Sequence, residues 1–337
     1  MHRLSLFPII LVMSCATVPS KPTVPPQAPI TQRQARTKLS SISTNKVQLW
    51  VVTHVRAHRH LDANGKVEEN SLIAGTLKDA DAVVQGGGDA IVLINSKAKL
   101  DVYERVIAAV RERYPNFPLA ISALDYGPKN LTEGFRLAKK FKAQVVWCEV
   151  APDEPFEYES DDGKYVKGET TERNFALKHQ KDVLPTAMHV AGVHMKYTKP
   201  LNELTFPQAI KAALGSVDGI NVTGPKTGVV ADIERIKQAH QAASGYPLGL
   251  ASGVSVDNIE PVLPFIDYVI VGTSLKEDDN DLRTSREKVW ALRSMISELG
   301  YGTDGAQAPR TMEEMHGDDE SNHQHHNHSH GDHKHHH

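Results

Sequence analysis

Short apolar segments alternate with longer amphipathic segments from about residue 46 to residue 299. The first apolar segment, residues 47–53, is a continuous β-rich run, which is typical of a strand covered on both faces. A helical pattern follows over residues 72–85 and ends at Gly86-Gly87-Gly88, which is a helix stop signal. The pattern therefore predicts a strand followed by a helix, and this unit recurs along the chain.

The alternation predicts eight strand–helix units. Strands are predicted over residues 47–53, 89–95, 117–124, 143–150, 185–194, 217–223, 247–252 and 266–272. Helices are predicted over residues 72–85, 100–113, 131–141, 171–180, 207–214, 232–243, 256–263 and 286–299, with a polar excursion over residues 151–169. Eight units match a (β/α)8 TIM barrel, whose usual size is about 250 residues, whereas a doubly wound open sheet uses the same alternation with fewer strands. We predict an α/β fold, with a (β/α)8 barrel over residues 46–300.

The first 15 residues have the charge order of a secretory signal. Arg3 precedes a short apolar run that ends at Ser14-Cys15. The run is shorter than the roughly 20 residues that span a bilayer. It resembles a bacterial lipoprotein signal, which implies lipidation of Cys15 and a membrane-anchored protein outside the cytoplasm, periplasmic or on the outer membrane in a Gram-negative cell. An ordinary cleaved signal or an uncleaved hydrophobic start would also fit.

Residues 16–45 are rich in proline, serine and threonine. This composition predicts extended, poorly packed chain, which would tether the barrel to the lipid bilayer at a distance.

The other end of the chain, residues 301–337, is predicted to be a disordered tail, because its polar composition lacks a regular apolar period. Neutral imidazoles bind Zn²⁺, Ni²⁺ and Cu²⁺, so this tail is a candidate site for a divalent metal. The candidate ligands are His323, His325, His326, His328, His330 and His333. The alternatives are a purification tag for the last three histidines and a solvated tail without a metal role.

Charge and cysteine content narrow the functional classes. The chain has 38 Lys and Arg against 41 Asp and Glu, so no basic excess favours a nucleic-acid partner. Two cysteines exclude a disulfide scaffold. Cys148 lies in a buried-strand pattern and is expected to be an inert core residue.

Polar and small residues follow the ends of the predicted strands, which is where the sites of TIM barrels lie. The candidates for chemistry are Asp125, Glu149, His194 and Lys196. The candidates for ligand binding are Asn95, Thr223, Gly224, Ser252, Gly253, Gly272, Thr273 and Ser274. Glycines at the ends of the last two strands allow close backbone approach, and exposed amides there favour anions. They predict a small phosphorylated or otherwise anionic metabolite, although the glycines could also serve only tight turns.

Several of the candidate residues fit more than one role. Asp125 and Glu149 fit an acid–base pair or anchors for cationic side chains such as Lys196. Lys196 fits a Schiff base or a partner of an acid or anion. His54, with the histidines at positions 58 and 60, fits a metal site or unliganded loop residues.

Three segments resemble the BtpA/SgcQ family. They are residues 218–228, Asp-Gly-Ile-Asn-Val-Thr-Gly-Pro-Lys-Thr-Gly, the turn at residues 252–254, Ser-Gly-Val, and residues 271–276, Val-Gly-Thr-Ser-Leu-Lys. Residues 193–196, Val-His-Met-Lys, resemble the fifth-strand segment of the family. The resemblance implies a TIM barrel. The family is named for a role in photosystem I biogenesis, and other members occur beside sugar-utilisation proteins. The resemblance implies no settled reaction.

The chain departs from the family pattern at two places. Residues 54–60 read His-Val-Arg-Ala-His-Arg-His, where the family has His-Leu-x-Pro-Leu-Pro-Gly. Gly192 and Tyr197 stand where the family pattern has an aspartate and a histidine. The expected function is therefore binding of an anionic metabolite, with the reaction open. Metal handling by the tail and a non-catalytic assembly role are the alternatives.

Overall fold

The computed structural model describes residues 24–96, 98–122, 127–160, 162–277 and 283–303. Eight parallel strands close into a barrel in the order β1-β11-β10-β9-β7-β4-β3-β2, so the predicted (β/α)8 TIM barrel is confirmed. The barrel strands are β1 (Gln48–Arg56), β2 (Ala90–Ser96), β3 (Leu119–Ser122), β4 (Val145–Val150), β7 (Met188–Gly192), β9 (Gly219–Thr223), β10 (Leu248–Ala251) and β11 (Tyr268–Val271). The α-helices are α1 (Gln32–Ile42), α2 (Glu69–Gln85), α3 (Leu100–Arg113), α4 (Pro128–Phe141), α5 (Arg173–Val183), α6 (Phe206–Ala213), α7 (Ile233–Ala243) and α8 (Arg286–Ile296).

The predicted polar excursion after β4 contains two strands of a small antiparallel sheet. Strands β5 (Phe156–Glu159) and β6 (Tyr165–Lys167) form a hairpin, and β8 (Thr198–Pro200) pairs with the other edge of β5. Because β8 follows β7 directly, this sheet lies over the carboxyl ends of β4 and β7.

The barrel strands are apolar on both faces because they separate two cores. On β1, Leu49 and Val51 belong to the cluster that packs against the surrounding helices. Trp50 and Val52 belong to the cluster inside the barrel, where the Trp50 ring stacks on Tyr268 at 4.2 Å. This alternation explains why the strands read as continuous hydrophobic runs.

Residues 32–42 form a docked helix, so the predicted extended tether is wrong for this segment. Helix α1 begins with a capping box between Thr31 and Gln34. Its buried face contains Leu39 and Ile42, which pack into the cluster inside the barrel. Arg36 also forms an ion pair with Asp267, at the start of β11. The helix therefore closes the amino-terminal end of the barrel.

The helix predicted over residues 256–263 is also wrong. The structure has a 3-10 helix over Glu260–Phe265 instead. Pro261 and Pro264 lie in this segment, and proline removes the backbone donors that an α-helix needs. The chain from β10 to β11 is therefore short and irregular.

Cys148 is buried in β4, and burial raises the pKa of its thiol to about 12. The predicted core cysteine is thus confirmed. Within the residues that the structure describes, no helix has the length and apolar character needed to cross a membrane.

Candidate functional site

A cavity of about 230 Å³ opens at the carboxyl ends of the barrel strands. Its apolar floor consists of residues from inside the barrel, namely Val52, Ile94, Trp147, Ala251 and Ile270. Its polar walls include His54, Ser96, Glu149, Lys196, Thr223, Thr227, Ser252, Gly253, Gly272, Thr273 and Ser274. The ends of β10 and β11 thus meet at one cavity, which has polar walls above an apolar floor.

The turns after β10 and β11 are joined directly. Ser274 Oγ donates a hydrogen bond of 2.5 Å to the carbonyl oxygen of Val254. Gly253 has φ +74°, and a Cβ atom there would lie 2.0 Å from the backbone nitrogen of Val230. Only glycine fits this approach without displacing backbone. The preceding residue, Ser252, has φ +86°, an uncommon conformation for a side chain other than glycine.

Lys196 extends into the cavity from the segment after β7. Its Nζ atom donates hydrogen bonds to Ser252 Oγ at 2.5 Å and to Thr227 Oγ1 at 3.2 Å. Its backbone N–H donates to Thr223 Oγ1 at 3.0 Å. Burial lowers the pKa of Lys196, and the charge of Glu149 opposes this shift. Among the described residues, the hydrogen-bond partners of Nζ are hydroxyl groups, and no carboxylate forms an ion pair with it.

Two further ionisable groups line the cavity. Burial raises the pKa of the Glu149 carboxyl, and the charge of Lys196 opposes this rise. Burial and the neighbouring charges of Arg56, Lys276 and Lys196 lower the pKa of His54 to about 3, so its imidazole is neutral. Arg56 Nη2 lies 3.1 Å from His54 Nδ1. The cavity therefore combines an acid held towards its neutral form with a neutral imidazole and a half-buried amine.

Three predicted site residues do not line the cavity. The Asn95 side chain is bonded within its own loop, with Nδ2 donating to the Ala98 carbonyl and Oδ1 accepting from the Ala98 N–H. Gly224 packs tightly against Val229, whose carbonyl oxygen would lie 1.9 Å from a Cβ atom. These two residues shape the loops and do not line the cavity.

His194 is the third predicted residue that does not line the cavity. Its backbone N–H donates to Glu154 Oε1 at 2.9 Å, and its ring packs 5.9 Å from that of Phe206. Burial raises the pKa of Glu154 to about 7 and lowers the pKa of His194. The pair lies beside the cavity, where it supports the segment that carries Lys196.

Some predicted residues lie outside the described part of the chain. They are Asp125, Cys15 and the six tail histidines at positions 323, 325, 326, 328, 330 and 333. The described residues contain no cluster of three or more histidine, cysteine or carboxylate side chains suited to a metal ion. In the first loop, His60 Nδ1 instead lies 2.9 Å from Ser71 Oγ.

Sequence reasoning missed several residues that line the cavity, including Ser96, Trp147 and Thr227. Side chains alternate between the two faces of a strand, so Ser96 faces the barrel interior while Asn95 faces away. The same alternation places Trp147 two residues before Glu149 on the inner face. Counting inward positions along each strand would have found Ser96 and Trp147.

The fold and the position of the cavity define a TIM-barrel protein with a small polar site at the strand carboxyl ends. Among solved structures, tryptophan synthase from M. tuberculosis is similar in fold, with a TM-score of 0.51 and 12% identity over 78% of this chain and 98% of that chain.

The chain belongs to the BtpA family, which residues 51–295 match. It is similar to the photosystem I biogenesis protein BtpA of Synechocystis sp., with 24% identity over 62% of this chain and 74% of that protein. It is also similar to an uncharacterised protein of Pyrococcus horikoshii, with 27% identity over 70% of this chain and 91% of that protein.

Proposed function

We propose that the barrel binds a small phosphorylated or similarly anionic metabolite in the cavity at the strand carboxyl ends. The observation behind this proposal is that the turns after β10 and β11 line one cavity together with Lys196. These turns supply glycines and hydroxyl groups, and the loops after the last two strands are the usual phosphate site of TIM barrels. The apolar floor would hold the uncharged part of the ligand.

The turns also leave backbone donors for an anion. The described hydrogen bonds do not use the N–H groups of Gly253, Thr273 and Ser274. Successive backbone N–H groups in turns form concave sites that favour anions. The volume of about 230 Å³ restricts the ligand to a small molecule, because drug-sized sites start at about 300 Å³.

Thermal unfolding with inorganic phosphate and a panel of sugar phosphates tests this proposal. A ligand at 100 times its Kd stabilises the folded state by about 2.7 kcal/mol, which corresponds to a rise in Tm of about 5–10 °C. Gly272→Val should abolish the rise, since a Cβ at Gly272 already lies 3.3 Å from Val52 Cβ and a larger side chain would occupy the cavity. Thr44→Val, an exposed change at the opposite end of the barrel, should retain it.

No rise with any phosphorylated compound would refute the proposal. An equal rise in the wild type and in Gly272→Val would also refute it, because the anion would then bind elsewhere. Sodium chloride at matched ionic strength separates specific binding from general screening.

We also propose that the protein is a lipoprotein anchored through Cys15, outside the cytoplasm. The sequence of residues 1–15 supports this proposal, and mass analysis of the membrane fraction, with Cys15→Ala as the control, tests it. Retention of Cys15→Ala in the membrane would refute lipid anchoring at this residue.

A second candidate function, metal handling, rests on the histidine content of residues 315–337. Tight Zn²⁺ or Ni²⁺ binding that is lost on truncation at Met315 would support it, and unchanged binding would refute it. The name of the Synechocystis relative suggests a third candidate, an assembly role. Stoichiometric co-purification of one protein partner would support this role.

A further inference from the structure

The anion site proposed above does not account for the state of Lys196. Among the described residues, the two hydrogen-bond partners of Nζ are neutral hydroxyl oxygens, on Ser252 and Thr227. A neutral amine has two hydrogens and one lone pair. Donation to both hydroxyl groups would use both hydrogens and leave the lone pair available to a molecule in the cavity. Burial, which lowers the pKa of this amine, favours the same neutral form.

We propose that Lys196 is a covalent nucleophile that forms a Schiff base with the carbonyl group of the bound metabolite. This inference rests on the proposed function, because the anion site would hold the aldehyde or ketone beside Nζ. It narrows the substrate class to small phosphorylated carbonyl compounds.

A fully buried lysine near the same end of the barrel, Lys276, is not suited to this role. Lys276 Nζ donates to the Val52 carbonyl oxygen at 3.0 Å and to Thr284 Oγ1 at 2.8 Å. Lys276 does not line the cavity. Lys226 is close in sequence to Thr227 but is exposed. Within the described residues, Lys196 is thus the one lysine that lines the cavity.

Glu149 supplies the proton transfers. It is the one acid among the described residues that line the cavity, and burial raises its pKa, which allows it to hold a proton. Attack by Nζ forms a C–N bond and moves the carbonyl π electrons to oxygen, which takes a proton from Glu149. Glu149 then recovers a proton from the attached nitrogen. The hydroxyl leaves as water with that proton, and the nitrogen lone pair forms the C=N bond.

The net change is the loss of one water and the formation of a protonated imine, and Glu149 ends as a carboxylate. The Ser252 hydroxyl, which accepts a hydrogen bond from Nζ, can donate its own hydrogen to the carbonyl oxygen during attack. Its backbone conformation at φ +86° is held by the turn after β10. Strained residues of this kind are often found at functional sites.

Reductive trapping on the full-length protein tests the inference. The protein is incubated with glyceraldehyde 3-phosphate and sodium cyanoborohydride, which reduces an imine to a stable secondary amine, and the modified lysines are identified by peptide mass mapping. We expect modification of Lys196 to exceed that of the exposed Lys226 by about tenfold or more, because binding precedes reaction. Excess inorganic phosphate should suppress the label at Lys196 only.

Matched variants complete the test. Lys226→Arg should keep the selective label, whereas Lys196→Arg should lose it, and mapping of the wild-type protein decides the question even if Lys196→Arg fails to fold. A phosphate-dependent rise in Tm together with equal labelling of Lys196 and Lys226 would overturn this inference and leave the anion site intact. No response of Tm to inorganic phosphate or to any sugar phosphate would instead refute the proposed function.

Discussion

Truncation of Leu39 tests whether α1 is part of the folded barrel in solution. The sequence predicts an extended tether here, whereas the structure buries the Leu39 side chain to 6% exposure against the interior of the barrel. Leu39→Ala removes most of this apolar contact but keeps the helix, because alanine is the strongest helix former.

The expected loss follows from this burial. Full burial of a leucine side chain stabilises a protein by about 1.5–3 kcal/mol, and the cavity left by truncation adds to the loss. Leu39 lies at the barrel end rather than at its centre, so part of the cavity can collapse. We expect Leu39→Ala to lower the free energy of unfolding by about 2–3 kcal/mol, and Tm by about 5–10 °C.

Urea and thermal unfolding, followed by circular dichroism, measure this change. Ser40→Ala is the matched control, since Ser40 is the exposed next residue of the same helix, and a change within about 0.5 kcal/mol is expected. If Leu39→Ala is as stable as Ser40→Ala, α1 is not docked in solution and the sequence-based tether is correct for residues 32–42.

Two further predictions concern buried charges. Arg293→Ala should lower the free energy of unfolding by about 3 kcal/mol, because Arg293 Nη1 lies 3.0 Å from Asp89 Oδ2 and its loss leaves the buried carboxylate without its cation. Glu154 has a folded-state pKa of about 7, above its usual value of 4.5, so the folded state holds the proton more tightly than the unfolded state. Its contribution to stability is therefore present at low pH and is lost as the pH rises through about 7, by up to about 3 kcal/mol. Glu154→Gln should remove this dependence.

Chemical denaturation at pH 5 and pH 8 measures both effects. For Arg293, the control is the double variant that combines Arg293→Ala with Asp89→Asn, which should recover part of the loss of stability. A loss below about 1 kcal/mol in the single variant would contradict a buried ion pair. For Glu154, an unchanged difference between the two pH values in Glu154→Gln would show that another group titrates.

The elements were predictable where periodicity was strong and uninterrupted. The helix predicted over residues 100–113 matches α3 (Leu100–Arg113), because its apolar positions recur at helical spacing between clear breaks. Helix α1 was missed although Leu39 and Ile42 lie at helical spacing. Its apolar face packs on the end of the barrel, and a local pattern does not show which distant surface is available.

The candidate site was predictable in position but only partly in membership. The prediction from the strand ends was correct for Glu149, Lys196 and Ser252, which line the cavity. Lys196 and Ser252 are 56 residues apart, and closure of the barrel brings their polar atoms together. Such a contact depends on strand order and tilt, which the spacing of residues does not determine.

The segment after β7 shows how backbone conformation separates neighbouring polar residues. His194 and Tyr197 adopt positive φ angles of 47° and 62° on either side of Lys196. These turns direct His194 towards Glu154, whereas Lys196 lines the cavity.

Gly192 adds a further constraint on this segment. A Cβ atom at Gly192 would lie 1.9 Å from Met195 Sδ, so a larger residue at this position would displace Met195. Among the described residues, Glu149 is therefore the one acid that lines the cavity with Lys196. Burial outweighs the opposing charge of Glu149, so the pKa of Lys196 is lowered, which favours a neutral amine. The neutral amine is the form that the nucleophilic role inferred for Lys196 requires, whereas a charge–charge contact with an anion requires the ammonium form.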